Sequence, residues 1–459
     1  MRSLLRVQVA LLAATAASAT VSVFAAQVGL SLVAIVHLTR TIRRETRGFT
    51  LPLDAAVGAF SIWTFLSSAF APSPIASHES AKKLVLFLLL YFAAEALRTD
   101  ELREILLDAM LIGGLTLSTL AILQYLFLGF NTMDTRPRSF LGHYMTASGV
   151  IMVLLIVAAE RVISMKPPRR ATPAALAMCA ALVSVAIVVA LAQRTGLVPT
   201  EIERLAILVV ALVAGRRAWK GMAWPDSTFS SALALVFLPL GGLALILSRT
   251  RSAWIGVMVG LMALAWMKKP RLLVYVPGLL ALALIVAPRS ILDRLTVTDA
   301  SSRDRYYMWQ AGLDMIADKP IFGQGTGMIL EVYPKFRWPS APNPNAPHLH
   351  NNFVQIAAER GLPCLFFLGW WLFLLGREAW RVRESAHTGH LVLAALAATL
   401  AAGMFEYNLG DSEVLMLILL LSALPFSTRS IAREPATRDQ SEPMGGAPSI
   451  ETSALVLEQ

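Results

Sequence analysis

Cationic side chains gather at the ends of several long apolar segments of this sequence. Lys82 and Lys83 begin one apolar run, and the turn SRTRSAW places Arg249 and Arg251 between two others. The remaining members of the set are Arg136, Arg138, His143, Arg303, Arg305, His348 and His350. Guanidinium groups bind phosphate oxygens in bidentate pairs, so cations from several segments suit an anionic ligand with more than one phosphate. The alternative is that single members, such as Lys83, reach outward to lipid headgroups.

His350 differs from the other candidates because two asparagines, Asn351 and Asn352, follow it directly. Asparagine side chains cap helix N-termini, and an apolar helix is predicted to begin just after this pair. The cap would hold the imidazole at a fixed point, where a neutral ring can accept a proton from a hydroxyl group. His348 alone is typical of a polar surface residue. Metal binding by the two histidines is not favoured, because the nearest carboxylate in sequence, Glu359, falls inside the following helix.

The sequence lacks the motifs of a cofactor site. The GQGTG run at 323–327 has neither a lysine nor a flanking strand, so it is predicted to be a backbone turn. No acidic cluster accompanies the cations to bind a divalent ion. Cys179 and Cys364 lie in apolar stretches, where neither a disulfide nor a metal site is implied. We therefore predict no metal and no cofactor.

The elements that must position these residues are membrane helices. Of the 459 residues, 56% are hydrophobic and 15% are charged, and the apolar blocks are near the ~20 residues that cross a bilayer. Backbone groups find no water there, so the blocks must be helical. The expected fold class is all-α, a polytopic helical bundle with about twelve crossings. The candidate spans are 4–20, 22–40, 51–71, 81–97, 102–128, 142–164, 171–191, 203–214, 229–247, 252–267, 271–288, 352–376, 390–407 and 411–426.

Basic loops alternate with less basic ones, and this alternation sets the expected topology. Five loops rich in Lys and Arg are predicted to be cytoplasmic, namely 40–47, 165–170, 215–220, 268–271 and 377–383. Both termini then lie in the cytoplasm, and the net charge of +10 reflects membrane topology and not nucleic-acid binding. The N-terminus is similar to a signal peptide, but its apolar run continues to about Arg40 and favours two closely joined helices.

Four parts are expected along the chain. Residues 1–288 and 352–426 would form two sets of transmembrane helices, separated by a large outer loop at 289–351. The polar segment 427–459 is predicted to be a disordered cytoplasmic tail. A loop of this length is expected to carry function.

The large loop has its own internal pattern. Residues 303–317 place apolar side chains at helical spacing. Pro320 and the three glycines of the GQGTG run are expected to end this helix. Four prolines then keep the chain extended as far as His348, namely Pro339, Pro342, Pro344 and Pro347.

Three motifs between Ser248 and Gly376 occur in a recognisable order. They are the SRTRSAW turn, then Arg305 and Trp309 followed by Pro320, Gly323, Gly325 and Gly327, and finally His350-Asn351 followed by Glu359 and Gly361. With the earlier segment Arg138-Ser-Phe-x-Gly-His143, this stretch resembles the O-antigen ligase and O-antigen polymerase superfamily. Cys364 stands where that family often has glycine.

The resemblance implies an inverting, metal-independent glycosyltransferase in the bacterial inner membrane, with its active site facing the periplasm. Its donor would be O-antigen on undecaprenyl diphosphate, and its acceptor the outer-core sugar of lipid A-core. By this resemblance His350 would be the general base, while Arg251 and Arg305 would bind the diphosphate. The substrate-binding candidates would be Lys82, Lys83, Arg136, Arg138, His143, Arg249, Arg303, His348 and Asn351.

Related activities remain as alternatives to ligation. An O-antigen polymerase uses the same donor and is the main alternative. Relatives that glycosylate proteins typically carry soluble domains after the last span, whereas a short tail follows it here. A transporter would predict internal symmetry and charges near the middle of the membrane, and the sequence suggests neither. The ligase is the favoured interpretation.

Overall fold

The computed structural model describes residues 3–46, 50–164, 173–195, 199–222, 227–275 and 300–427. Within these ranges the chain is helical and contains no strand, which confirms the all-α fold class. Most of the predicted span 271–288, the first part of the large loop at 289–299 and the predicted tail after residue 427 lie outside the described residues.

Sixteen α-helices are described in chain order: α1 Ser3–Ala19, α2 Val23–Ile42, α3 Asp54–Ala69, α4 Pro74–Ala81, α5 Leu88–Ala96, α6 Asp100–Phe127, α7 Tyr144–Ser164, α8 Pro173–Thr195, α9 Pro199–Gly221, α10 Ser227–Leu247, α11 Arg251–Lys268, α12 Ala300–Asp318, α13 Ile329–Phe336, α14 Asn352–Val382, α15 His387–Gly403 and α16 Ser412–Ser427. Short 3-10 helices occupy Lys82–Phe87, Pro270–Tyr275 and Asn408–Gly410.

The apolar blocks correspond closely to these helices, with three main differences. The block 390–407 becomes α15, which ends at Gly403 and leaves Glu406 outside the helix. The short block 203–214 becomes the longer helix α9. The block 81–97 is not one helix, because residues 82–87 form a 3-10 segment before α5 begins. In this tighter segment the ammonium group of Lys83 donates to the carbonyl of Gly410, at 2.6 Å. The 3-10 segment therefore contacts the chain just before α16.

Apolar surface indicates which helices face lipid. Six helices among the described residues are long and apolar enough to cross a membrane, and three more are apolar but shorter. The span of α6 is fully buried inside the bundle, whereas only 22% of the α2 span is buried. On α2 the side chains of Phe24 and Ile35 are 76% and 61% exposed. Large exposed apolar side chains on a long apolar helix are expected where lipid surrounds it. The count of about twelve crossings stays a prediction.

The described part of the large loop packs as a small helical unit on the bundle. Helix α12 begins and ends close to the predicted 303–317 segment, and it packs on α14 and α13. Its buried contacts include Met308 and Met315 on α12 and Tyr333 on α13. Helix α13 lies between the predicted GQGTG turn and the predicted extended segment, and it was not itself predicted. The loop returns to the bundle where α14 begins.

Candidate active site

His350 and Glu406 form the centre of the candidate site. Nδ1 of His350 lies 3.0 Å from each carboxylate oxygen of Glu406, and both side chains are largely shielded from solvent. His350 has a left-handed backbone with φ of 50°, directly before α14. The side chain of Asn351 accepts from the backbone N–H groups of Phe353 and Val354, at 2.9 and 3.1 Å. The predicted cap is thus confirmed, and it fixes the backbone that carries the imidazole.

Asn352, which was expected to share the cap, instead joins α14 to the chain beyond α15. Its amide nitrogen donates to Oδ1 of Asn408 at 2.6 Å, and its amide oxygen accepts from the backbone of Leu409 at 3.2 Å. A Cβ atom on Gly403 would lie 2.1 Å from this amide, so glycine there allows the close approach. The two contacts hold the segment with Glu406 against the start of α14.

Two more basic side chains lie near the Glu406 carboxylate, a guanidinium group and a second imidazole. Nη2 of Arg305 lies 3.7 Å from it and Nδ1 of His348 lies 3.8 Å from it. The rings of His348 and His350 meet edge to face, with centroids 4.2 Å apart. Burial alone would raise the pKa of Glu406, but the hydrogen bond from His350 and the nearby positive charges hold it at about 2. Burial, and then His350, lower the pKa of His348 to about 4.

The same three side chains could also hold a metal ion. One ligand atom each from His348, His350 and Glu406 lies within 4.8 Å of the other two. The sequence argument against a metal here was that no carboxylate lay nearby, and Glu406 shows that this argument was wrong. Two imidazoles and a carboxylate are ligands that zinc accepts.

A cavity of about 830 Å³ opens beside Glu406. Among its lining residues are Lys82, Lys83, His143, His348 and Glu406, which come from four separate segments, and three further carboxylates also line it, those of Glu79, Glu359 and Asp411. The ammonium group of Lys82 is exposed and pairs with Glu79. The structure therefore brings together both predicted lysines, two of the three predicted histidines and two carboxylates that the sequence did not indicate, Glu406 and Asp411.

Arg251 and Arg305 are neighbours through helix α12. A guanidinium nitrogen of Arg251 donates to Oγ of Ser302, at 3.0 Å. Ser302 and Arg305 lie three residues apart on α12 and hence on one face of that helix. Arg303, between them, is exposed. Arg305 thus lies beside Glu406, and Arg251 is joined to the same helix through Ser302. Their role in binding a diphosphate stays a prediction.

The other predicted basic residues have contacts outside the His350–Glu406 pair. Arg249 donates to the hydroxyl of Tyr125, at 3.1 Å. The guanidinium of Arg136 stacks 3.8 Å from the ring centroid of Tyr144. Arg138 lines a second pocket, separate from the one beside Glu406. Arg249 and Arg138 thus lie near the end of α6, whereas Arg136 is also within electrostatic range of His143, which lines the cavity.

The GQGTG run is a backbone turn, as predicted, and it braces α14. Gly323, Gly325 and Gly327 all have positive φ, from 66° to 103°. The backbone N–H of Gly325 donates to the backbone carbonyl of Glu359, at 2.8 Å. The backbone N–H of Gly327 donates to the carboxylate of Glu359, at 3.0 Å. Gly361 breaks α14 with φ of 79°, and a Cβ there would lie 1.9 Å from the carbonyl oxygen of Ile321.

Sequence reasoning missed two carboxylates of the site, Glu406 and Asp411. Both follow α15, in the polar run FEYNLGDSE between two apolar blocks. A cluster of polar residues at a predicted outer boundary was the available signal. Burial, and then the charges of Glu413 and Glu406, raise the pKa of Asp411 to about 7.

Comparison with known families agrees with the motifs. Residues 233–369 match the family model described as O-antigen ligase. The matched stretch holds Arg251, Arg305 and His350, whereas Glu406 lies beyond it. No curated protein matches the chain. The resemblance indicated by the motifs is confirmed over this stretch: the chain is an all-α polytopic membrane protein whose residues 233–369 match the O-antigen ligase family model.

Proposed function

We propose that this protein is an O-antigen ligase of the inner membrane. It would transfer O-antigen from undecaprenyl diphosphate to the outer-core sugar of lipid A-core, in the periplasmic leaflet. The observation that carries the proposal is the pair formed by His350 and Glu406 beside a cavity that also holds cations. A base and a cationic region are the two features that glycosyl transfer from a diphosphate requires.

His350 would act as the general base. Its Nδ1–H donates to Glu406, so Nε2 carries the lone pair that accepts the proton of the acceptor hydroxyl. Ionised Glu406 holds this tautomer and stabilises the imidazolium that forms, as a carboxylate does for histidine in hydrolases. The low pKa of Glu406 keeps its carboxylate ionised at neutral pH.

The bond changes balance in a single displacement. The acceptor oxygen forms a bond to the anomeric carbon while the bond from that carbon to the diphosphate oxygen breaks. The hydroxyl proton moves to His350, and the electron pair leaves with undecaprenyl diphosphate. Attack from the face opposite the leaving group inverts the anomeric centre.

Fixed cations would stabilise the leaving diphosphate without a metal ion. Arg305 lies beside Glu406, Arg251 is joined to α12 through Ser302, and Lys83 lines the cavity. Preorganised charges of this kind act where negative charge develops in the transition state. The unit formed by α12 and α13 would cover the cavity from the periplasmic side.

An O-antigen polymerase is the alternative that uses the same donor. The two activities differ in the phenotype of a deletion strain. If the protein is the ligase, its loss leaves lipid A-core bare while O-chain accumulates on the carrier lipid, and the cloned gene restores a full ladder. Single O-units on the core after deletion would instead identify the polymerase and overturn the proposal.

A further inference from the structure

A second pocket, of about 660 Å³, lies next to the cavity beside Glu406. Its walls come from the C-terminal ends of α6 and α8, the start of α9 and the segment 138–142. Gly142 lines this pocket, and the next residue, His143, lines the cavity. The two spaces therefore share the segment that precedes α7 as a common wall.

A chain of side-chain amides organises this second pocket. The amide of Gln124, only 1% exposed, donates to the carbonyl of Ser139 and to Oε1 of Gln193, both at 3.1 Å. Its oxygen accepts from the backbone of Ser139 at 2.7 Å. Gln193 in turn donates to Glu203, at 2.6 Å. These contacts join α6, α8 and α9, so the polar wall is fixed before any ligand arrives.

The side chains that line this pocket could bind the different parts of a charged sugar. Two guanidinium groups, those of Arg138 and Arg194, line the pocket and suit a phosphate or carboxylate. The carboxylate of Glu203 and the neighbouring amides can bind hydroxyl groups. The rings of Phe130 and Phe140 also line the pocket and offer apolar faces. Cations, hydroxyl acceptors and aromatic rings in one pocket fit a sugar that carries a negative charge.

We propose that this pocket binds an anionic part of the acceptor oligosaccharide, beside the sugar whose hydroxyl reacts. The inference rests on the proposed function. The shared wall formed by Gly142 and His143 would place a bound oligosaccharide within reach of the cavity. Arg138 would then serve the acceptor and not the diphosphate of the donor.

Direct binding tests this inference without requiring transfer. The purified protein would be titrated calorimetrically with deacylated, phosphorylated core oligosaccharide and with the same oligosaccharide after dephosphorylation. We expect binding of the phosphorylated form, weakened about tenfold or more by Arg194→Ala and by dephosphorylation. Glu203→Gln keeps the acceptor for Gln193 and should weaken the dephosphorylated form more than the phosphorylated form, because the loss of a repelling charge offsets the lost hydroxyl contact for the anion.

A matched control and two contrary outcomes complete the test. Arg204 lies next to Glu203 in sequence, is 73% exposed and pairs with Glu201, so Arg204→Gln should leave binding unchanged. Equal binding by the parent protein and Arg194→Ala would overturn the inference. A second contrary outcome is that the oligosaccharide does not bind while phosphatidylglycerol vesicles do, and that vesicle binding is lost in Arg194→Ala. The pocket would then bind a lipid headgroup. If the parent protein bound the oligosaccharide but transferred no O-antigen to lipid A-core, that result would count against the proposed function and not against this inference.

Discussion

Nδ1 of His350 lies 3.0 Å from both carboxylate oxygens of Glu406, although 56 positions separate the two residues. His350 lies at the end of the large loop, and Glu406 follows α15. The pair forms because Asn351 and Asn352 fix both backbones, through Met404 and Asn408. This geometry turns an isolated histidine into an oriented base.

Replacing Glu406 with glutamine should slow transfer while leaving the fold intact. The amide cannot stabilise an imidazolium by charge and can hold the wrong tautomer of His350. A positioned base contributes about 100- to 10,000-fold, so we expect kcat to fall on the order of 100-fold with little change in KM. Steady-state kinetics of the purified variant measure both constants. Glu331→Gln, an exposed carboxylate on α13, serves as the control, and equal losses in the two variants would argue against the orienting role.

Gly361→Ala should destabilise the protein. The residue has φ of 79°, and its new Cβ would meet the carbonyl oxygen of Ile321 at 1.9 Å. Positive φ at a non-glycine residue alone costs roughly 1–3 kcal/mol, and the clash adds to this. Thermal unfolding in detergent should show a Tm lower by several degrees. Gly369→Ala in the same helix has nothing within 4 Å of the new Cβ, so a similar loss there would contradict the explanation.

Asp411→Asn should stabilise the protein more at alkaline than at acidic pH. Burial, then Glu413 and Glu406, raise the pKa of Asp411 to about 7, above the value of about 3.9 in an unfolded chain. The folded state therefore holds the proton more tightly. This residue's contribution to stability is complete below about pH 4 and is lost as pH rises through about 7.

Asparagine stays neutral over this range, so the difference should grow with pH. We expect the Tm of the variant, relative to that of the parent protein, to rise by roughly 2–4 °C between about pH 5 and pH 8. Differential scanning fluorimetry at a series of pH values measures this difference. A constant offset across the series would show that Asp411 does not titrate there.

The sequence predicted the helices of this protein better than its site. Apolar blocks predict spans because each must satisfy its own backbone in lipid, and the cap at Asn351 follows from local chemistry. The partnership of His350 with Glu406 depends on how α14 and α15 pack, which no local pattern encodes. The same holds for Arg138, which is close in sequence to His143 but lines a different pocket.

Metal removal should leave activity unchanged. If Arg251 and Arg305 stabilise the diphosphate, excess EDTA will not reduce the rate of transfer by the purified protein. His348, His350 and Glu406 nevertheless lie close enough to bind zinc. Added zinc should therefore inhibit, because it would replace the proton on Nδ1 of His350 and break the hydrogen bond that orients the base on Glu406. Loss of activity in EDTA and its recovery with zinc would instead identify a metal-dependent enzyme.

Transfer by His350→Ala measured against the parent protein tests the central claim most directly. Both proteins would be purified in detergent and supplied with labelled O-antigen on undecaprenyl diphosphate and with lipid A-core. The parent protein should form labelled lipopolysaccharide, and the variant should lose about 100- to 10,000-fold in rate while remaining folded and inserted. Transfer by the variant at the parental rate, or no transfer by the parent protein, would contradict the account.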